Sequence, residues 1–414
     1  MTDLLSSFVL LFFVLGLTLA EKKYLNNLFT PFTATAWPFA IISMMINLVA
    51  IRLEFFPVTA RANYFILLNL FIIWLVGFLM FHSQKKSLEK QNYIEVFSEF
   101  RKFRYFLLFL SWIVIITVFL KVISILGREG WHYIGTNEFE KKMTQGPVAH
   151  LTIMGKALLI LVVLILWDSK KSWLDYLTMV LLGISILSLM VKNHIMWVVL
   201  IIFFIFNLNL APKFQFKKVV NIVLFLITLF MVNYFILIFG WGTFSVSNPS
   251  MWEYIFGWFF NYLISGTILL NRWMDLAYTS PWWTPFIVFI NLKNVIIGNP
   301  ERIDFVKFVA PGFMHSSPKF YSNVGTSFGT FYLIGGFPFT FLVTMSTAAL
   351  SYWVYLKSFY FKNPITIFIA AVFLTSGLLS FFGQYFTILS VYEMTFFYLF
   401  FIGIFKLIHK MRTW

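Results

Sequence analysis

Long apolar runs alternate with short polar connectors along most of this chain. At about 1.5 Å per helical residue, roughly 20 apolar residues cross a hydrocarbon core of roughly 30 Å as an α-helix. The pattern therefore predicts an all-α polytopic membrane protein with about eleven transmembrane helices. The predicted spans are residues 4–20, 31–51, 64–82, 105–126, 151–167, 174–191, 195–211, 219–239, 327–356, 365–383 and 386–408.

One long interval, residues 240–326, departs from this pattern because six prolines and many charges interrupt it. We interpret it as a large loop outside the membrane in which Tyr254–Leu270 and Trp283–Gly298 form short or re-entrant helices. Alternatively, both segments cross as a pair, which would give thirteen helices. The predicted organisation is an N-terminal bundle of about eight helices (1–239), the loop (240–326) and a C-terminal bundle of about three helices (327–414).

Composition agrees with a membrane protein. Of the 414 residues, 60% are hydrophobic and 11% are charged, whereas soluble domains carry roughly 25% charged residues. The 15 Trp and 18 Tyr suffice for aromatic belts at the two interfaces. The absence of Cys excludes disulfides, thiolate metal sites and Cys nucleophiles. The six His show no metal-ligand spacing, so we expect no metal and no cofactor.

Charge indicates the orientation. The first apolar run follows Asp3 and precedes Glu21-Lys22-Lys23, whereas a cleaved signal peptide has its positive charges before the run. We therefore predict an uncleaved helix with its N-terminus outside. This orientation places eighteen of the 31 Lys and Arg in cytoplasmic loops, as the positive-inside rule favours. It puts residues 240–326 outside and the C-terminus in the cytoplasm.

Several ionisable residues fall within the predicted membrane spans. Lys121 and Lys156 fall within predicted spans, and Glu393 falls in the outer part of the last span. Ionisable groups in the membrane are costly and are candidates for function. For the two lysines, the alternative is that the long side chain reaches the interface.

Basic residues gather on the predicted outer side. Such a basin suits an anionic lipid head group, above all a diphosphate, and Arg binds phosphate oxygens through two parallel hydrogen bonds. The charge pattern predicts a lipid-linked anionic substrate outside the membrane. The candidate substrate-binding residues are Arg128, Lys141, Lys142, Lys192 and His194.

The segment Asn323-Val324-x-Thr326, followed by the aromatic-glycine run Phe331-Tyr332-Leu333-Ile334-Gly335-Gly336, resembles the O-antigen polymerases (Wzy type). The many spans and the one long late loop resemble the same family along the whole chain, whereas the motif covers only residues 320–336. Many members carry an acidic residue just before the glycine of the final segment, and this chain has Ile334 there.

The resemblance implies a bacterial inner-membrane glycosyltransferase with a metal-independent, GT-C-like helical fold. Its expected reaction polymerises undecaprenyl-diphosphate-linked oligosaccharide repeat units at the periplasmic face by inverting transfer. The N-terminus would then be periplasmic, and a chain-length regulator would be an expected protein partner. Nucleic acid is not an expected partner.

That chemistry needs two kinds of group. Cations must stabilise the departing diphosphate, and losing one of them costs about 3–4 kcal/mol. The candidate cations are Arg128, Arg272 and Arg302. A base must accept the proton of the attacking hydroxyl. The candidate bases are Glu138, Glu140, Asp275, Asp304, His194 and His315. Asn323 and Thr326 would either orient a sugar or cap the helix that starts near residue 327.

Two other functions remain open. A flippase for the same lipid-linked oligosaccharide would also be polytopic and basic, but it should show repeated halves and ionisable or helix-breaking positions near the membrane midplane. An O-antigen ligase would share the donor and differ in the acceptor.

Overall fold

The chain is mostly helical in a computed structural model, with a single two-stranded hairpin among the residues that the structure describes. The described residues are 2–83, 94–134, 136–167, 172–189, 193–209, 220–221, 223–225, 227–228, 231–232, 249–276, 280–298, 303, 312–361 and 363–411.

The helices are numbered here in chain order. They are α1 Thr2–Leu25, α2 Pro31–Leu48, α3 Ala60–His82, α4 Ile94–Ser98, α5 Arg104–Glu129, α6 Asn137–Met143, α7 Pro147–Leu166, α8 Trp173–Leu187, α9 Asn193–Asn209, α10 Pro249–Asp275, α11 Ile287–Ile296, α12 Ser327–Tyr360, α13 Pro364–Leu378 and α14 Leu389–Met411. The strands are β1 Met314–His315 and β2 Tyr321–Ser322. Short 3₁₀ turns lie at Ala50–Leu53, Arg101–Phe103, Trp131–Tyr133, Thr284–Phe286 and Tyr385–Thr387.

Seven of the described helical stretches are long and apolar enough to cross a membrane: α1, α2, α3, Val96–Glu129 (which includes α5), α7, α12 and α14. The shorter α8, α9 and α13 are also apolar. The chain is therefore a multi-pass, helical membrane protein, as the sequence predicts. The predicted span 219–239 lies mostly outside the described residues, so the number eleven stays a prediction.

Two expectations need correction. The interval 240–326 contains α10, a helix of 27 residues, which is longer than the short or re-entrant helix expected at Tyr254–Leu270; the alternative that this segment crosses the membrane stays a prediction. Polar residues such as Asn261 and Asn271 mask this helix in the hydropathy pattern, although Ile264 and Ile268, one turn apart, are buried. The predicted span 327–356 is also not one continuous helix, as described below.

The contacts divide the chain into two compact units. Unit 1 comprises Met1–Glu89, Gly257–Phe361 and Val372–Leu389, and unit 2 comprises Lys90–Phe256, Lys362–Ala371 and Ser390–Trp414.

Polar side chains join α1, α2 and α3 within unit 1. The hydroxyls of Ser7 and Ser43 lie 2.8 Å apart, and Ser43 donates a 2.6 Å hydrogen bond to Asn63 Oδ1. Asn47 donates to Ser7 Oγ and to the Val58 carbonyl, at 2.9 Å each. In lipid the hydrophobic effect does not drive helices together, so hydrogen bonds between helices help to hold them in contact.

α12 is broken near its start. Gly335 and Gly336 leave the helical conformation, and Gly336 has a φ of +61°, which glycine adopts without a steric penalty. In an unbroken helix, Phe328 and Thr344 would be about 24 Å apart, yet both line one cavity. Residues 327–334 therefore turn back beside the rest of α12.

Contacts within unit 1 hold this turn in place. Tyr332 and Phe337, on either side of the break, both pack edge-on against Phe65 with ring centroids 5.6 and 5.0 Å away. The Leu333 carbonyl accepts a 3.2 Å hydrogen bond from the Ser280 amide. A backbone group at the break thus finds a partner, as backbone within a membrane protein must.

α7 is the central helix of unit 2. Fourteen of its 20 residues are buried, and it packs against α5, α8 and α9. A helix that is apolar on every side is buried among other helices. Lys156, on this helix, is only 2% exposed.

Candidate functional site

The buried Lys156 has a partner on a neighbouring helix. It lies about two and a half turns into α7, and its Nζ forms a short hydrogen bond with His194 Nδ1 at the start of α9. Lys156 is therefore held inside the helix bundle of unit 2 by a residue at the end of a neighbouring helix. The reach of its side chain to the membrane interface stays a prediction.

A carboxylate completes this group. Glu393, near the start of α14, lies close enough to Lys156 to interact with it electrostatically. His150 donates a 2.9 Å hydrogen bond from Nδ1 to Glu393 Oε1. Among the described residues, Glu393 Oε2 is buried and has no hydrogen-bond partner. We call Lys156, His194, His150 and Glu393 the charged cluster.

Other basic residues of unit 2 are occupied locally. Lys121 donates to the carbonyls of Met143 and Gln145, at 3.5 and 2.9 Å, and so fastens the segment between α6 and α7. Lys142 pairs with Glu129 at 2.5 Å, and this hydrogen bond to the carboxylate raises the pKa of Lys142. These two cations have structural partners already.

A second group forms in unit 1, where the β-hairpin docks on α10. Asn261 donates to the Tyr321 carbonyl at 3.1 Å and accepts from Ser316 Oγ at 2.5 Å. The hydroxyls of Ser265 and Ser322 are 3.0 Å apart. We call α10 together with the hairpin the platform, because it carries several of the predicted residues.

The platform positions Arg272 and Asp275 at the end of α10. The Arg272 guanidinium lies 4.8 Å from the centre of the Phe56 ring, a cation–π contact that leaves its N–H groups able to bind an anion. Asp275 pairs with Arg61 at 2.6 Å, with the two side chains 68% and 55% exposed. This ion pair competes with the predicted role of Asp275 as a base.

The remaining predicted residues separate into groups. Thr326 caps α12, since its hydroxyl accepts a 2.9 Å hydrogen bond from the Gly329 amide, which confirms the capping interpretation. His315 is exposed on β1, with its ring 6.3 Å from that of Tyr321, and Asn323 is half-buried just before α12. Arg128, Glu138 and Lys141 are exposed in unit 2. Arg302, Asp304 and Lys192 lie outside the described residues.

Unit 1 also contains a cavity with about 530 Å³ of empty space, including its mouth. It lies about halfway along α3, where Ile73 forms part of its wall. One turn away on α3, Asn69 accepts a 3.0 Å hydrogen bond from Thr344, which also lines the cavity. Its wall includes Thr35, Ser327, Thr344, Thr347, Ser351, Ser376, Ser380, Phe328, Phe331, Phe373 and Phe386. None of the described residues that line it is charged.

Sequence reasoning missed part of these sites. It placed Glu393 and Lys156 among the costly intramembrane groups but could not pair them, because α7 and α14 are far apart along the chain. It treated Glu21 as part of a charged flank, whereas Glu21 is completely buried in unit 1. The cavity had one local signal, the dipeptide Gly335-Gly336, which breaks α12.

Among the described residues, no three His, Asp or Glu side chains come together in a way that could hold a metal ion. The sequence model of a family of unknown function, DUF6337, matches residues 53–411. The chain belongs to this family. No curated protein matches the chain, and no solved structure matches it.

Proposed function

We propose that this DUF6337 chain is an inner-membrane glycosyltransferase that polymerises undecaprenyl-diphosphate-linked oligosaccharide repeat units into O-antigen or capsular polysaccharide. The observation that supports this most is the charged cluster of unit 2. A buried lysine and a carboxylate oxygen without a partner are the two kinds of group that the transfer needs.

In this proposal Lys156 stabilises the departing diphosphate. The bond between the anomeric carbon and the diphosphate oxygen breaks, and the negative charge that develops on that oxygen is offset by a cation fixed in advance. Such a cation acts strongly where water is excluded. Because Lys156 is 2% exposed and is held by His194, it needs little reorganisation during the step.

Glu393 accepts the proton of the attacking hydroxyl. Its Oε1 is held by His150 while Oε2 is buried and has no partner among the described residues, so Oε2 is the atom that can take the proton. The new glycosidic bond forms as this proton moves to the carboxylate. A base must lie within hydrogen-bond reach of the proton that it removes.

Arg272, on the platform, binds substrate phosphate or sugar in the same proposal. The exposed Arg128 and Lys141, together with Arg302 and Lys192 from the sequence, add to the attraction for an anionic lipid. The proposed enzyme has eleven spans in a GT-C-like arrangement, with its N-terminus in the periplasm and its C-terminus in the cytoplasm. Its expected protein partner is a chain-length regulator.

A flippase for the same lipid-linked oligosaccharide is the second candidate, and one observation favours it. The break in α12 and the uncharged cavity halfway along α3 are features that transporters place near the membrane midplane. An O-antigen ligase, with the same donor and a different acceptor, is the third candidate.

Deleting the gene in its own host separates the three functions. For a polymerase, lipopolysaccharide or capsule banding should show single repeat units with the ladder lost. For a flippase, lipid-linked units should accumulate inside the cell and repeat units should disappear from the surface. For a ligase, already polymerised units should accumulate outside. An unchanged ladder would contradict all three.

A further inference from the structure

We propose that the cavity of unit 1 is a binding site for an uncharged, hydroxyl-rich ring such as a pyranose. The inference that a site is present depends only on the cavity. The inference that the ring belongs to a lipid-linked repeat unit rests on the function proposed above.

Four hydroxyls in the wall of the cavity can accept hydrogen bonds from a ligand. Thr35, Ser351 and Ser376 each donate their hydroxyl proton to a backbone carbonyl of their own helix, at 2.9, 2.7 and 2.9 Å. A hydroxyl that has used its proton in this way still has free lone pairs. Thr344 likewise donates to Asn69. A matching ligand therefore carries several donors of its own.

Ser380 adds a group that has no partner. It is 7% exposed and lines the cavity, and its Oγ is buried with no hydrogen-bond partner among the described residues. An unpaired buried polar group costs about 1–3 kcal/mol. Rotation of the side chain about χ1 towards the cavity would let Oγ form a hydrogen bond with a ligand hydroxyl, which would remove this cost.

The absence of charge from the wall selects the class of ligand. A diphosphate or a carboxylate would be left without a counterion there, which is costly in a buried site. A lipid tail would leave Ser380 Oγ unpaired. A sugar ring satisfies both conditions, because its hydroxyls donate to the wall and its C–H faces pack on phenylalanines such as Phe328 and Phe331.

Two parts of one helix form much of the cavity wall. The turn of α12 shapes it, since residues 327–334 form one wall and Thr344, Thr347 and Ser351 form another. The site is therefore built by the fold and is not a gap between mismatched side chains.

Single cysteines in this naturally Cys-free chain test the site. Ser380→Cys and Thr347→Cys place a thiol in the wall, and Ser346→Cys places one at an exposed neighbouring position on α12. The rate of alkylation by N-ethylmaleimide is measured on the full chain in lipid nanodiscs. The probes are D-glucose, D-galactose and N-acetyl-D-glucosamine, with cyclohexanol as a six-membered ring that has one hydroxyl.

A second set of nanodiscs carries lipid-linked repeat units extracted from the deletion host, or undecaprenyl diphosphate without sugar. We expect a bound sugar at about ten times its Kd to slow labelling of both wall cysteines about tenfold, because the free fraction falls by that factor. Ser346→Cys should label at an unchanged rate. Protection by free sugars identifies a site for sugar alone, and protection only by lipid-linked units identifies the repeat unit as carrier.

Three results would overturn the site: equal protection by cyclohexanol, no protection by any sugar-bearing probe, or wall cysteines that do not react in a correctly folded chain. This outcome is independent of the gene deletion. Sugar protection together with an unchanged ladder would contradict the proposed functions and leave the cavity site standing. A lost ladder without sugar protection would contradict the cavity site alone.

Discussion

The phenol of Tyr352, on α12, donates a short hydrogen bond to the carboxylate of Glu21, on α1, 331 residues away in sequence. Both side chains are completely buried. Thr30 donates to the second carboxylate oxygen at 2.6 Å, and the Phe32 amide donates to the Tyr352 oxygen at 3.3 Å. One carboxylate thus connects α1, the start of α2 and α12 in unit 1.

This connection predicts a stability effect. Tyr352→Phe should lower the stability of the purified chain by about 1–3 kcal/mol, because it leaves a buried acceptor without its donor. Glu21→Gln should cost less, because the amide oxygen still accepts. The measurement is thermal unfolding in detergent, with the exposed Tyr64→Phe as matched control. Equal unfolding temperatures for Tyr352→Phe and Tyr64→Phe would show that the bond contributes nothing.

Lys156→Met should abolish polymer while the chain still accumulates in the membrane. Methionine keeps the length and apolar packing of the side chain and removes the cation, whose loss from a preorganised site costs roughly 10²–10³ in rate. The measurement is the polysaccharide ladder, with the exposed Lys22→Met as control. A normal ladder from Lys156→Met would show that the charged cluster does not take part in the reaction.

Glu393→Gln tests the base. The substitution preserves shape and the bond from His150 but leaves no carboxylate to take a proton, so we expect polymer synthesis to fall by about 10²–10⁴. Glu138→Gln, at an exposed position of α6, is the competing candidate from the sequence. If Glu138→Gln loses the ladder and Glu393→Gln keeps it, the base lies on α6.

Arg272→Ala and Arg302→Ala should each reduce polymer strongly without preventing membrane insertion. Arg272 is held over Phe56 by the platform, and Arg272→Lys should restore only part of the function because it loses the planar fork. The nearby exposed Arg52→Ala is the matched control. Unchanged ladders in both alanine variants would show that Arg272 and Arg302 do not bind the substrate.

The orientation can be tested with the same Cys-free background. Phe313, beside the hairpin, is 68% exposed, and Met411, at the end of α14, is 61% exposed. In intact cells, a membrane-impermeant thiol reagent should label Phe313→Cys but not Met411→Cys. Both should react once the membrane is opened. The reverse pattern in intact cells would invert the predicted topology.

The sequence by itself determined the features that depend on neighbouring residues. Apolar runs of about 20 residues specify helices that suit a bilayer wherever they occur, and Thr326 caps α12 because its hydroxyl reaches an amide only three residues away. The same reasoning found residues 254–270 apolar and helical but underestimated α10, because its polar residues contact the hairpin and the segment before α3 rather than water.

Only the tertiary structure decided what the buried polar groups do. Lys156 and Glu393, like Glu21 and Tyr352, lie on different helices, and their partners cannot be found from spacing along the chain. The dipeptide Gly335-Gly336 signals a break, but contacts with Phe65 and Ser280 decide that residues 327–334 turn back and enclose a cavity. Local patterns fix which segments are helices, whereas burial and pairing depend on which helices pack together.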